Sequence, residues 1–176
     1  MIRELRAAPR LRSGHIVLLA LAFTSIASPS RSQSLKVLDV PYIAQSELLC
    51  GGAAAAMVMR YWGERGVDAE SFRSLVDTKS GGIRTDDLAA ALRARGWNAL
   101  EVRGSPGALA RELQQGRPVI SLVEDHPGVY HYVVVVARND DGVVFHDPAR
   151  APFRVASASD FDKRWSAAGR WMLIVI

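Results

Sequence analysis

An α+β domain, with helices first and an antiparallel sheet after them, is the fold class that this 176-residue sequence predicts. Three observations carry it. Between residues 50 and 115, helix-like segments with capping residues recur at short intervals. From residue 117 onward β-branched runs dominate, and two of them flank "NDDG", a hairpin signal. Apolar residues make up 49% of the chain, which supplies a real core for one domain. Helices and antiparallel strands that follow one another in separate blocks form segregated layers.

The chain opens on "MIRELRAAPRLRSGH", a positive leader, followed by "IVLLALAFTSIA", Ile16 to Ala27, an apolar run of signal length and short for a bilayer span. Ser25 and Ala27 are small at the positions a signal peptidase needs. Residues 1–27 therefore read as a signal peptide, residues 28–35 as a polar connector and residues 36–176 as the domain, in a protein exported to the periplasm or beyond the cell. The alternative is an uncleaved segment that anchors the protein to a membrane. Arg3, Arg6, Arg10 and Arg12 stand in the leader against Glu4 alone, so the formal charge of +4 falls to about +1 without it. The remaining charges are scattered, which excludes a nucleic-acid footprint.

"LKVLDVPYIAQ" alternates apolar and polar residues and predicts a short strand ended by Pro41. "CGGAAAAMVMRYW", about Cys50 to Trp62, is rich in Ala and Met and stops at Gly63, a helix. "DAESFRSLV" is a second, shorter helix. "RTDDLAAALRARG" is a third, with Thr85 as N-cap, Asp86 and Asp87 in its first turn and Gly96 at its end. "WNALEVRG" predicts a strand, "SPGALARELQQG" a helix capped by Ser105 with Pro106 first, and "RPVISLVE" another strand. The β-hairpin about "NDDG" follows, then a short helix in "SASDFDKRW". The continuous apolar run in "GRWMLIVI" predicts a last strand that is central or covered on both faces.

Cys50 is the only cysteine, so no disulfide can close within the chain. It stands at the mouth of the first helix, where unpaired backbone N–H groups and the positive end of the macrodipole favour a thiolate, the nucleophilic form. Gly51 and Gly52 are expected to keep the first turn open to a substrate, and Ala53 to Ala56 to let neighbouring backbone pack closely on a rigid helix. The competing reading is a small buried hydrophobe.

A nucleophilic cysteine needs a base. His15 lies in the leader, His126 in the turn "EDHPG", His131 early in the strand "YHYVVVV", and His146 directly before Asp147. A histidine in an apolar strand can equally be a core residue. With Asp140, Asp141 and Gly142 as a type I turn and Gly142 left-handed, Asn139 pairs with Val143, Val135 with Asp147, and His131 falls opposite Ala151. Alternation then puts His131 and Asp147 on one face of the sheet and His146 on the other. That register leaves His131 and Asp147 about four residues apart, on the order of 13 Å, so a bulge, strong twist or another register has to close the gap. An acyl-transfer site also needs oxyanion donors, and the candidates are the backbone N–H of Cys50 and the side-chain amide of Gln45, in the segment leading into the helix.

With these positions in place, the sequence resembles the bacteriocin-processing cysteine peptidases, family thirty-nine of the papain-like superfamily. The resemblance rests on "VPYIAQSELLCGGAAAAMVMRYWG", "GGIRTDDLAAALRARGW", "QGRPVISLV", "YHYVVVVAR", "FHDPAR" and "FDKRW", which run in family order from about Val40 to Ile176. It implies a papain-like fold with N-terminal helices on a C-terminal antiparallel sheet. It also implies a site in which Cys50 is the nucleophile, His131 the general base, Asp147 the group that orients His131, and Gln45 the oxyanion donor. Exporter-type members are domains of large membrane transporters that face the cytosol and cut leader peptides after a double glycine. This sequence shows no G-x-x-x-x-G-K motif for ATP and starts with a signal-like segment, so it reads as a free-standing exported member. Leu49 also stands where exporter-type members usually carry an acidic residue.

The expected function is hydrolysis of peptide bonds, with a peptide or protein as the substrate partner. The alternatives are an amidase or transpeptidase on cell-wall peptide, and a non-catalytic peptide-binding module. One cysteine and scattered histidines lack metal-ligand spacing, so neither a metal nor another cofactor is expected.

Overall fold

Strong local signals at residues 50–61 and 106–114 give helices where the sequence places them. The computed structural model describes residues 35–176. The expected signal peptide, residues 1–27, and all but the last residue of the expected connector, residues 28–35, lie outside the described residues. Helix α1 spans Cys50–Tyr61, a 3₁₀ turn Ala69–Leu75, a two-stranded hairpin β1 (Val76–Asp77) and β2 (Gly82–Ile83), and helix α2 Thr85–Ala94. Strand β3 (Ala99–Arg103) and helix α3 (Pro106–Gln114) lead to the long strands β4 (Val119–His126) and β5 (Val129–Arg138). Strands β6 (Gly142–Asp147) and β7 (Ala151–Ser157), helix α4 (Ala158–Ala167) and strand β8 (Trp171–Val175) complete the order.

The six longer strands form one antiparallel sheet in the order β3-β8-β4-β5-β6-β7. Helix α1 packs on β5, while α4 packs on β4, β6 and β7. Strand β8 lies between β3 and β4, and Met172 to Val175 are buried, as its unbroken apolar run requires. Ser105 caps α3 by accepting from the Ala108 N–H at 3.1 Å, and Pro106 opens that helix where a missing N–H leaves no partner stranded.

Four local readings are corrected, and two features are new. Residues 35–41 form no strand, because β4 and β6 already occupy both edges of β5. Leu38 instead donates to the carbonyl of Val136, the residue left over at a bulge in β5, at 2.9 Å. "DAESFRSLV" winds as a 3₁₀ helix, capped reciprocally by Asp68 and Ser71. Arg84, not Thr85, is the N-cap residue of α2, and no side chain caps that end. Strand β7 and the small β1–β2 hairpin have no forerunner in the sequence reading. Gly142 lies in β6 without a left-handed φ, since Asn139 Oδ1 takes the N–H groups of Asp141 (3.1 Å) and Gly142 (2.8 Å) and closes a shorter connection.

Gly51 and Gly52 do not open the helix mouth; both are buried. A Cβ on Gly52 would stand 2.7 Å from the Ala69 carbonyl oxygen, and one on Gly51 would stand 3.1 Å from the Tyr132 ring. The glycines therefore let the 3₁₀ turn and β5 close on α1, which seats the first turn of the helix. Gly52→Ala should lower stability by about 1–3 kcal/mol, read from the denaturation midpoint, because its neighbour is backbone and cannot swing away. An unchanged midpoint would show that the contact is slack.

Candidate active site

The segment 41–49 brings Cys50 to the sheet. Tyr42 Oη donates to the carbonyls of Asp147 (3.2 Å) and Pro148 (3.3 Å), and the Gln45 N–H donates to Pro148 O at 3.0 Å. These bonds pin the segment to the turn after β6. The chain then reverses, with Leu49 N–H on Ser46 O at 3.1 Å and Leu48 held at φ 63°, a left-handed backbone that leucine rarely adopts. Leu49 is fully buried against the core, which accounts for an apolar residue at that position. Cys50 follows as the half-buried first residue of α1, where its own N–H has no intrahelical acceptor.

His131 and Asp147 meet across the sheet, with Nε2 and Oδ1 2.8 Å apart. The hairpin register differs from the sequence reading in the direction that makes this work. Val134 pairs with His146 and Val135 with Phe145. Continuing that register sets Asp147 across from Val133, two residues from His131, or about 7 Å along the strand. Two side chains on one face span that distance. Asp147 is fully buried and His131 nearly so.

With Nε2 engaged by Asp147, the other imidazole nitrogen of His131 is left for Cys50. Burial pushes the imidazolium down, but hydrogen bonds to Asp147 and Cys50, with their charges, outweigh it and hold His131 up at about 9. Burial likewise pushes the Asp147 carboxyl up, and the His131 and Arg150 bonds and charges reverse this, leaving it at about 2. The carboxylate is ionised and favours a proton on His131.

His146 faces the other way. Its Nε2 donates to Val40 O at 2.8 Å and its Nδ1 accepts from the Phe153 N–H at 3.0 Å, which fixes one neutral tautomer. Burial lowers its pKa, against a smaller opposing effect of the Val40 bond. The ring sits edge-on to Tyr42 and Phe153. His146 is the satisfied core histidine of the pair, and it ties β7 to the segment before α1. His126 is exposed at the end of β4.

Gln45 has a buried Oε1 without a hydrogen-bond partner among the described residues. That oxygen is an acceptor; the group that an oxyanion would meet is the NH₂ of the same amide. Beside Cys50 runs a groove of about 400 Å³, lined by Gly82, Ile83, Leu122, Tyr130 and Tyr132 among others. Tyr132 Oη donates to Ile83 O at 2.9 Å, which joins the groove's wall to the sheet.

Sequence reasoning missed three contributors. Arg150 and Arg154 reach Asp147 Oδ2 at 3.0 and 3.3 Å, and Tyr132 packs on Gly51. The spacing of Asp147 and Arg150 in "DPAR" was a weak signal for the first; Arg154 comes from β7, which the sequence reading did not foresee, and Tyr132 from β5. No group of three or more His, Cys, Asp or Glu side chains that could hold a metal occurs among the described residues. No helix among them is long and apolar enough to cross a membrane.

The profile of the Peptidase_C39 like family matches residues 37–172. Among solved structures, the chain is similar to a putative C39-like peptidase from Bacillus anthracis, with TM-score 0.69 and 17% identity over 82% of this chain and 98% of that one. It is also similar to the peptidase domain of Streptococcus ComA, a bi-functional ABC transporter involved in quorum sensing, with TM-score 0.64 and 18% identity over 76% of this chain and 95% of that one. A third similarity is to a double glycine motif protease from an AMS/PCAT transporter, solved in complex with the leader peptide, with TM-score 0.63 and 25% identity over 79% and 92% of the two chains. The α+β architecture, with its helix on a six-stranded antiparallel sheet, is the papain-like fold of these peptidases. No curated protein matches the chain.

Proposed function

We propose, for a chain that belongs to the Peptidase C39-like family, that it is an exported cysteine peptidase in which Cys50 attacks the peptide carbonyl, His131 moves the protons, Asp147 orients His131 and Gln45 receives the oxyanion. The observation that carries this reading is the buried pair of His131 Nε2 and Asp147 Oδ1 at 2.8 Å, with Cys50, whose charge helps to hold the His131 proton, at the free N-terminus of α1. That the transporter protease was solved with a leader peptide supports a peptide substrate in the groove beside Cys50.

The steps follow from the placement. His131 takes the thiol proton and becomes an imidazolium, stabilised by the Asp147 carboxylate. The sulfur adds to the carbonyl carbon, and the oxyanion lies between the Gln45 amide and the Cys50 N–H. His131 gives its proton to the departing amine, the C–N bond breaks and a thioester remains. Water then adds to the thioester as His131 takes its proton; the imidazolium returns that proton to the sulfur, and the new carboxylic acid leaves. An imidazole held up at about 9 accepts the thiol proton readily and still carries one for the amine at neutral pH.

The test is a peptide carrying a thiol-reactive group, followed by mass spectrometry of the digested protein. The adduct should sit on Cys50 in the folded protein, and its formation should slow when excess plain peptide is present or when the protein is unfolded beforehand. For any peptide the protein cleaves, kcat/KM should decline as pH rises through about 9, as His131 loses the proton meant for the amine. An unlabelled Cys50, or a rate still climbing well above that pH, overturns the assignment.

A further inference from the structure

Asp147 is engaged on both oxygens. Oδ1 accepts from His131 Nε2 at 2.8 Å and the Ala149 N–H at 3.1 Å, and Oδ2 accepts from Arg150 Nη1 at 3.0 Å and Arg154 Nη1 at 3.3 Å. Two guanidinium charges thus compete with His131 for one carboxylate. Arg150 does not stand alone. Its Nη2 donates to both oxygens of Asp125, each at 2.8 Å, and Asp125 also takes Arg164 Nη2 at 3.2 Å. Arg164, on α4, is fixed by a second bond from Nε to the Glu124 carbonyl at 2.9 Å. The Asp125 side chain is 18% exposed, and it sits where β4 is bulged between Glu124 and His126. The bulge re-aims the strand end so that this carboxylate reaches over the turn after β6.

We propose that Asp125 is a positioning residue for the reaction: it takes up the Arg150 guanidinium, whose charge would otherwise draw the Asp147 carboxylate away from the imidazolium. The proposal rests on the reading of Cys50, His131 and Asp147 as one site. Its physical content is an alternating row of charges, His131, Asp147, Arg150, Asp125, Arg164, in which each member is held by the next. In such a row, removing an outer anion and removing the cation beside it act on His131 with opposite sign. A residue that braced the turn through packing or neutral hydrogen bonds would produce no such reversal, and the neutral isostere Asp125→Asn keeps those. The other charged and titratable groups along this row are Cys50 on α1 beside His131, Tyr42 and Arg154 beside Asp147, and His126 beside Asp125, and the variants below leave all four in place.

The readout is the protonation midpoint of the His131 ring, followed by NMR of the imidazole signals in the full chain. Asp125→Asn leaves Arg150 uncompensated, and the midpoint should fall by about one pH unit. Arg150→Gln removes the competing cation, and the midpoint should rise. Asp125→Glu keeps the charge and should stay near the wild type. Opposite displacements support the assignment. A midpoint unmoved in Asp125→Asn, or displaced the same way in both variants, overturns it. Should Asp125→Asn not fold, Arg150→Gln decides: its side chain is 36% exposed, and a midpoint that does not rise overturns the proposal. The measurement needs no substrate. A wild type that cleaves no peptide sinks the peptidase reading, while the His131 midpoints still decide this one.

Discussion

His131→Ala should lower kcat/KM for peptide cleavage by about a thousandfold or more, because one imidazole both accepts the thiol proton and supplies the amine's. His146→Ala should leave turnover per folded molecule within a few-fold of the wild type. The two rings stand on adjacent strands and differ only in the face they take: His131 bonds to Asp147, whereas His146 spends both nitrogens on Val40 O and the Phe153 N–H. The His146 variant has its own cost. It strands a buried carbonyl and the N–H of Phe153, a residue already held at φ 50°, and should lose about 1–3 kcal/mol of stability. Counting active sites with the thiol-reactive peptide separates the two effects, since it normalises turnover to folded molecules. Equal losses of normalised turnover in two folded variants would remove His131 from its role.

Gln45→Ala should slow acylation by about a hundredfold, the usual consequence of losing one oxyanion donor. Stability should hold, since the side chain gives up an oxygen that is buried and unpaired among the described residues, and no partner is left behind. The segment itself remains tied by the Gln45 backbone N–H on Pro148 O and by Tyr42. Alkylation of Cys50 by iodoacetamide should continue at the wild-type rate, because that reaction forms no oxyanion. The pair of assays distinguishes stabilisation of the transition state from any influence on the thiol. Near-full peptidase activity in Gln45→Ala would take the residue out of the site, and joint loss of alkylation, activity and stability would make it structural.

Two elements show where local information ends. The helix beginning at Cys50 and the one capped by Ser105 were legible because propensity and capping act between residues three or four apart. The glycine pair was legible as glycine but misread in purpose. What Gly51 and Gly52 accommodate is the Tyr132 ring and the Ala69 carbonyl, and nothing near them in the chain announces either. Residues 35–41 were misread for a related reason. Their alternation fits a strand, but a strand needs a free edge, and the arrangement of β4, β5 and β6 leaves none there.

The sequence by itself determined the α+β class, the helices that start at Cys50 and Pro106, and the opposite facing of the neighbours His146 and Asp147. That facing is robust because side chains alternate in any extended strand, whatever its partner, but which of the two shares the face of His131 depends on register. The register was another matter. Asn139 closes a shorter turn than the one expected, bulges interrupt β5 and β6, and the offset between His131 and Asp147 shrinks to what two side chains can bridge. The arginines on Asp147 and the anchoring of Gln45 to Pro148 likewise exist only in the folded chain. Each depends on a sum of backbone hydrogen bonds and packing contacts between distant strands, and a shift by one residue in any of them would redirect every side chain that follows.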